Sequence, residues 1–120
     1  MTGPVWSPTN ARMTQSNMQR FIHFVQKSYT PVVHDYASLY AWSICAPSEF
    51  WAATWTFCDI KATEPWDTVY LPGVEIYDGR WFAGAKLNFA ENLLRHASRY
   101  SDKDAVVFWG EDHVRRRMTY

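Results

Sequence analysis

Six side chains in this sequence could bind a metal ion or act as nucleophile and base: Cys45, Cys58, His23, His34, His96 and His113. A zinc site needs ligands in close pairs, and a metalloprotease centre needs two histidines one helical turn apart as H-E-x-x-H. Neither spacing occurs, so both cysteines are expected to be core thiols, since free cysteine is among the most buried residue types. A phosphate cradle needs clustered glycines whose N–H groups converge, followed by Lys and Ser or Thr. The five glycines, Gly3, Gly73, Gly79, Gly84 and Gly110, are scattered, and G-x-G-x-x-G is absent. Arg115, Arg116 and Arg117 are consecutive, but on a strand alternate residues face opposite ways. With Glu111 and Asp112 close by, they read as a solvated strand end. Trp51, Trp55, Trp81 and Phe82 could line an aromatic slot, although aromatics at helical spacing usually face a core. The residues alone thus assign no catalytic, cofactor-binding or metal-binding side chain.

The elements that would position these groups are clearer than any chemistry. Ser7 with Pro8 starts a helix, the serine as N-cap and the proline in the first turn. Met18, Phe21, Ile22 and Val25 then form one apolar stripe, and the helix is expected to reach about Lys27. Asp35 caps a second helix that buries Tyr36, Leu39, Tyr40 and Trp42 before Pro47 interrupts it. Pro47 opens a third, with Phe50, Trp51, Thr54, Trp55 and Cys58 on one side.

Residues 61–86 show neither period and are punctuated at Pro65, Pro72-Gly73, Asp78-Gly79 and Gly84. That length predicts an irregular stretch pinned by Trp66, Tyr70, Val74, Ile76, Trp81 and Phe82. Asn88-Phe89-Ala90-Glu91 has the form of a capping box and predicts a fourth helix through Leu93, Leu94, Ala97 and Tyr100. Ala105 to Trp109 reads as a strand, Gly110-Glu111-Asp112 as a turn, and Arg115 to Tyr120 as the returning strand. The fold class expected is α+β, mainly α, with about four helices, a long irregular segment and a C-terminal β-hairpin.

With 120 residues and 14.1 kDa the chain fits one compact domain. A globule of that mass exposes roughly 6,700 Å², about a third of the surface of its extended chain. Seven Trp, seven Tyr and seven Phe argue against intrinsic disorder. The 12 basic and 12 acidic residues cancel, which argues against nucleic acid or an anionic membrane as partner. Between Tyr36 and Cys58 the only charge is Glu49, but Pro47 and several Ser and Thr interrupt the run, so no membrane span is expected. Two cysteines and no basic-then-apolar leader suggest a reduced, cytoplasmic location.

One segment is far more specific. Arg80-Trp81-Phe82-Ala83-Gly84-Ala85-Lys86-Leu87-Asn88-Phe89-Ala90-Glu91-Asn92-Leu93-Leu94 closely resembles the sequence near the start of acetoacetyl-CoA synthetases, in the adenylate-forming acyl-CoA ligase superfamily. Val5-Trp6-Ser7-Pro8, Asp35 to Leu39 with Trp42-Ser43, Phe50-Trp51 and Phe108 to Asp112 agree in order and spacing. Ala83 stands where the family commonly has Pro, and Phe89 where Tyr is frequent.

The resemblance implies that residues 1–100 form a helical N-terminal cap domain, similar to that of acetyl-coenzyme A synthetase. Residues 101–120 would begin an adenylation domain whose sheet continues beyond this sequence. It implies, for a complete enzyme, acetoacetate activated with ATP and Mg²⁺ and passed to coenzyme A. No catalytic, cofactor-binding or metal residue of the family has a counterpart here, so none is carried over, and no cofactor is expected on this segment. Its expected partner is the rest of the adenylation domain. Alone it is expected to be inactive and to expose apolar surface at Val107, Trp109 and the strand edges. Two other readings stay open: a stand-alone interaction module docking on a partner chain, and a segment of a ligase for another short acid.

Overall fold

The computed structural model describes residues 5–75 and 77–120, so Ile76, one of the expected pins, lies outside the described residues. Among the described residues the fold is α+β, with five helices and two two-stranded antiparallel sheets. Chain contacts divide it into two units, Met1–Ile60 with Trp66–Gly84, and Lys61–Pro65 with Ala85–Tyr120.

In the first unit, the single helix expected over residues 8–27 is two, α1 (Asn10–Thr14) and α2 (Asn17–Ser28). Thr9 rather than Ser7 caps α1, accepting from Arg12 N at 3.3 Å. Ser16 makes the break. Its hydroxyl donates to Met13 O at 2.7 Å, closing α1, and accepts from Gln19 N at 3.1 Å, opening α2. A serine hydroxyl competes with the backbone in this way, which the apolar stripe does not reveal.

α3 (Tyr36–Cys45) begins at the Asp35 cap, where Asp35 Oδ1 accepts from Ser38 N at 2.8 Å and Ser38 Oγ accepts from Asp35 N at 3.0 Å. Pro47 then starts α4 (Pro47–Phe57), as its lack of an N–H allows. The core is Ile22, Val25, Val33, Leu39 and Ala53, with Phe21, Phe24, Trp42 and Phe50 packed against it. Of the side chains expected inside, Met18, Tyr36 and Tyr40 are exposed, because a helix buries only the side its neighbours cover.

The irregular stretch expected over residues 61–86 contains a hairpin, β1 (Thr68–Leu71) and β2 (Arg80–Ala83), with Tyr70 opposite Trp81. Each strand is four residues, too short for alternation to show. Val74, expected as a pin, is exposed.

In the second unit, Asn88 Oδ1 accepts from Glu91 N at 3.3 Å and caps α5 (Phe89–Leu94), which ends before the expected Ala97 and Tyr100. The Asn92 amide clamps the preceding segment, accepting from Lys61 N and donating to Lys61 O, both at 2.8 Å. β3 (Asp104–Trp109) and β4 (Arg115–Thr119) form the expected C-terminal hairpin, with Trp109 opposite Arg115 and Val107 opposite Arg117. No residue of this unit is buried, and every residue of both strands is exposed.

Candidate functional site

The expected aromatic slot lies in the first unit, where α4 meets the β1–β2 hairpin. Trp51 and Trp55 stand one turn apart on α4 and so share a face. Trp51 meets Trp81 with ring centres 5.4 Å apart, and Trp55 meets Phe82 at 4.6 Å. Trp66 closes on Trp55 at 4.9 Å and on Phe82 at 5.5 Å, while Tyr70 stacks on Trp81 at 4.1 Å. Phe50, beside Trp51 at 5.5 Å, joins this cluster to the core through Trp42 and Phe21.

Trp81 and Phe82 are consecutive, and on a regular strand they would point to opposite faces. Both nevertheless reach α4. The device is Phe82 itself, whose φ of 51° takes it out of extended geometry. A positive φ in a bulky residue is strained, and this one is held by the rings of Trp55 and Trp66. Gly84, at φ 87°, lets the chain pass Asp67: a Cβ there would lie 2.3 Å from the Asp67 carboxylate.

Between Trp51, Trp81 and Phe82 an apolar cleft of about 200 Å³ remains, and Trp55 does not line it. No acid, base or nucleophile lines it, and it is smaller than the roughly 300–1,000 Å³ typical of small-molecule sites. The arrangement therefore serves packing, locking the hairpin to α4.

The other chemistry-bearing residues are not brought together. Cys45 and Cys58 end α3 and α4 and are exposed, correcting the expectation of core thiols. Helix ends carry them past the covered side. His23 shares a hydrogen bond with Gln19 at 3.2 Å, His34 Nδ1 donates to Val32 O at 2.8 Å, and His96 accepts from Arg95 Nε at 3.1 Å. His113 occupies the β3–β4 turn at φ 64°. Among the described residues, no three His, Cys, Asp or Glu side chains come together as a metal site, and no helix is long and apolar enough to cross a membrane. Of the three arginines, Arg115 lies over the Trp109 ring at 4.6 Å, Arg117 pairs with Asp104, and Arg116 stands opposite Phe108. Asp35 has its carboxyl held below the ordinary carboxylate range, first by the Ser38 hydroxyl and then by the Ser38 backbone N–H. Tyr70 as the stacking partner of Trp81, and the strain at Phe82, had no signal in the spacing of residues.

Residues 36–93, which span α3, α4, the β1–β2 hairpin and most of α5, match the family described as acetyl-coenzyme A synthetase N-terminus. Among individual proteins, the chain is 34% identical over 98% of its length to an acetoacetyl-coenzyme A synthetase of Rhizobium meliloti, of which it covers 17%. It is 35% identical over 75% of its length to the malonamoyl-CoA synthetase vrtB of Penicillium aethiopicum, covering 12% of that protein. In structure it is similar to the acetoacetyl-CoA synthetase from Streptomyces lividans, with a TM-score of 0.83 and 29% identity over 98% of this chain and 18% of that one. The chain thus spans about a sixth of the length of these acetoacetyl-CoA synthetases.

Proposed function

We propose that the chain is the N-terminal cap region of an ATP-dependent acetoacetate–CoA ligase. In the complete enzyme acetoacetate and ATP give an acyl-adenylate and diphosphate, and coenzyme A then takes the acyl group and releases AMP. The observation that carries this reading is the similarity to an acetoacetyl-CoA synthetase across 98% of the chain. In this proposal residues 1–100 are the cap and residues 101–120 begin the adenylation domain, which is the cap's partner. ATP, Mg²⁺, coenzyme A and acetoacetate are held outside this segment, and its role is structural. The aromatic junction supports that role, because it fixes the hairpin on α4 without offering a reactive group.

A second reading, a ligase for another short acid, is favoured by the similarity to a malonamoyl-CoA synthetase. Two assays test the proposal. The purified chain given acetoacetate, ATP, Mg²⁺ and coenzyme A is expected to form no AMP, and clear turnover would overturn the cap reading. A chimera in which this chain replaces the matched segment of the Rhizobium meliloti relative is expected to keep kcat/KM within about tenfold of that parent. A folded but inactive chimera, beside an active parent, would show that the segment is not an equivalent cap. An interaction module acting elsewhere would then be the better reading.

A further inference from the structure

Asp78 is the one aspartate of the sequence that a glycine follows, and no asparagine precedes a glycine. That pairing bears on chemistry internal to the chain. The nitrogen of the next residue's N–H can attack an aspartyl carboxyl group and close a five-membered imide ring. A side chain on that next residue crowds the ring, and glycine has none. The attack also needs an N–H that no carbonyl already holds, on a segment free to turn.

The loop between β1 and β2 meets both needs. Gly73, Val74, Glu75, Tyr77 and Asp78 are all exposed there, and Gly79 lies outside any strand or helix. Asp78 N donates to Glu75 O at 3.0 Å, whereas among the described residues no acceptor stands against Gly79 N. The Asp78 carboxylate accepts from Glu75 N across 3.4 Å, longer than a good hydrogen bond and easily given up. Other aspartates differ. Asp59 precedes the branched Ile60, whose N–H donates to Trp55 O at 3.3 Å, and Asp102 precedes Lys103, whose N–H donates to Tyr100 O at 2.9 Å. Asp67 precedes Thr68, which is branched and belongs to β1.

We propose that Asp78–Gly79 is a self-modification site at which aspartate converts to isoaspartate. Gly79 N bonds to Asp78 Cγ, and the Gly79 amide proton leaves with the carboxyl OH as water, giving a succinimide. Water then adds to one of the two ring carbonyls. Breaking the bond from Gly79 N to Asp78 Cγ restores aspartate. Breaking the bond from Gly79 N to the Asp78 backbone carbonyl carbon leaves the chain running through Cβ and Cγ, with a new carboxylate on Cα. One water leaves and one returns, so no other reactant is needed. The inference does not depend on the ligase reading.

The fold gives the product a consequence. The Asp78–Gly79 peptide passes so close to Gly73 that a Cβ on Gly73 would lie 2.6 Å from the Asp78 carbonyl carbon and 2.8 Å from Gly79 N. Isoaspartate lengthens the main chain by one methylene at that approach. Gly79 leads directly into Arg80, which pairs with Leu71 at the loop end of the β1–β2 ladder. The modified loop should therefore loosen the register that sets Tyr70 against Trp81.

The test incubates the purified chain at physiological temperature in water enriched in oxygen-18, followed by trypsin digestion in ordinary water. Cleavage after Lys61 and Arg80 releases residues 62–80 as one peptide. The expected result is a second form of that peptide, separable by chromatography and carrying one oxygen-18, with electron-transfer fragmentation placing isoaspartate at position 78. The same chain in urea gives the rate for an unconstrained segment, and the folded rate should lie within about threefold of it. Gly79→Ala should slow the reaction about tenfold or more in both states, because its Cβ crowds the ring. The separated isoaspartate form should unfold at a lower denaturant midpoint than its parent. Isoaspartate formed in urea but not in the folded chain would overturn the proposal by showing that the loop holds Asp78 away from Gly79 N. So would equal reaction at Asp67 or an undiminished rate in Gly79→Ala, and an unchanged midpoint would overturn the link to the β1–β2 register.

Discussion

The two units of this chain are ordered by different means. In the first, Ile22, Val25, Val33, Leu39 and Ala53 are buried, and a connected set of rings extends that core through Phe50 to Trp51, Trp81 and Tyr70. The second buries nothing. Its backbone is held by the Asn88 cap, the Asn92 clamp on Lys61, the pairing of Glu64 with Lys86 and the β3–β4 ladder. Its ion pairs, Lys86 with Glu64 and Arg117 with Asp104, are solvent-facing and add little. Meanwhile Val106, Phe108, Trp109 and Met118 are each more than half exposed. Local hydrogen bonding can thus specify strands and a helix, but an isolated two-stranded hairpin is marginal without an apolar face to pack on. The difference teaches where stability resides: both units expose apolar side chains, but only the first also buries a core.

The sharpest way to break that contrast is to remove equivalent apolar groups from each unit. Leu39→Ala opens a cavity in the core and should cost about 2–5 kcal/mol, read as a lower denaturation midpoint by tryptophan fluorescence. Val107→Ala, at a strand position already exposed, should stay within about 0.5 kcal/mol. Equal losses at the two sites would show that the second unit has a core after all.

A smaller effect separates strain from packing at the aromatic junction. Phe82→Ala loses the ring contacts with Trp55 and Trp66 and keeps a Cβ at a φ of 51°. Phe82→Gly loses the same contacts but frees the backbone. In an ordinary strand glycine is worse than alanine by roughly 0.5–1 kcal/mol, and here the order should reverse, with Phe82→Gly about 1 kcal/mol the more stable. An alanine variant equal to or better than glycine would mean that Phe82 is not strained.

Much of this fold could be read from the sequence because its punctuation is local. The Asp35 cap, the Pro47 start of α4, the Asn88 cap and the C-terminal hairpin all rest on residues within a few positions of one another, and each stands where expected. The misreadings share a different cause. Ser16 divides the first helix with a hydroxyl that serves two carbonyl and amide partners at once, and β1 with β2 pairs residues across a long loop. Tyr36, Tyr40 and Cys58 were expected inside on periodicity, which gives the sides of a helix but not which side is covered. The slot residues Trp51, Trp81 and Phe82 do meet, but through a backbone kink at Phe82 that residue type does not announce.

The caps sharpen the comparison further, since both units start a helix with a side chain that accepts a backbone N–H. In the second unit, Asn88→Ala removes the acceptor for Glu91 N and should cost about 1 kcal/mol of α5 stability. Because α5 is not braced by a core, the loss should appear as faster amide exchange confined to residues 89–94, with the fluorescence-detected unfolding of the first unit unchanged. Loss of the first unit's midpoint in this variant would show that the two halves are energetically one.

The smallest expected effect uses the one difference between those caps that acid can reach. Asp35 can be protonated and Asn88 cannot. The folded state holds the Asp35 carboxyl below its ordinary value of 3.8, because the Ser38 hydroxyl and the Ser38 N–H both favour the ionised form, with His34 adding attraction. A depressed folded pKa means that this contribution is fully present above about pH 3.8 and is lost as pH falls from there through the lowered folded value. No change is expected from this group between neutrality and the upper end of that window. Since Asp35 is solvent-exposed and screened, the loss should be slight and local, seen as faster exchange of the Ser38 and Leu39 amides. Asp35→Asn keeps an N-cap acceptor without a proton to gain, so in that variant the α3 amides should lose their acid dependence. The α5 amides should show no matching step in either protein. An acid step at α5 of the same size as that at α3 would trace the pH response to general charging of the chain instead of the Asp35–Ser38 cap.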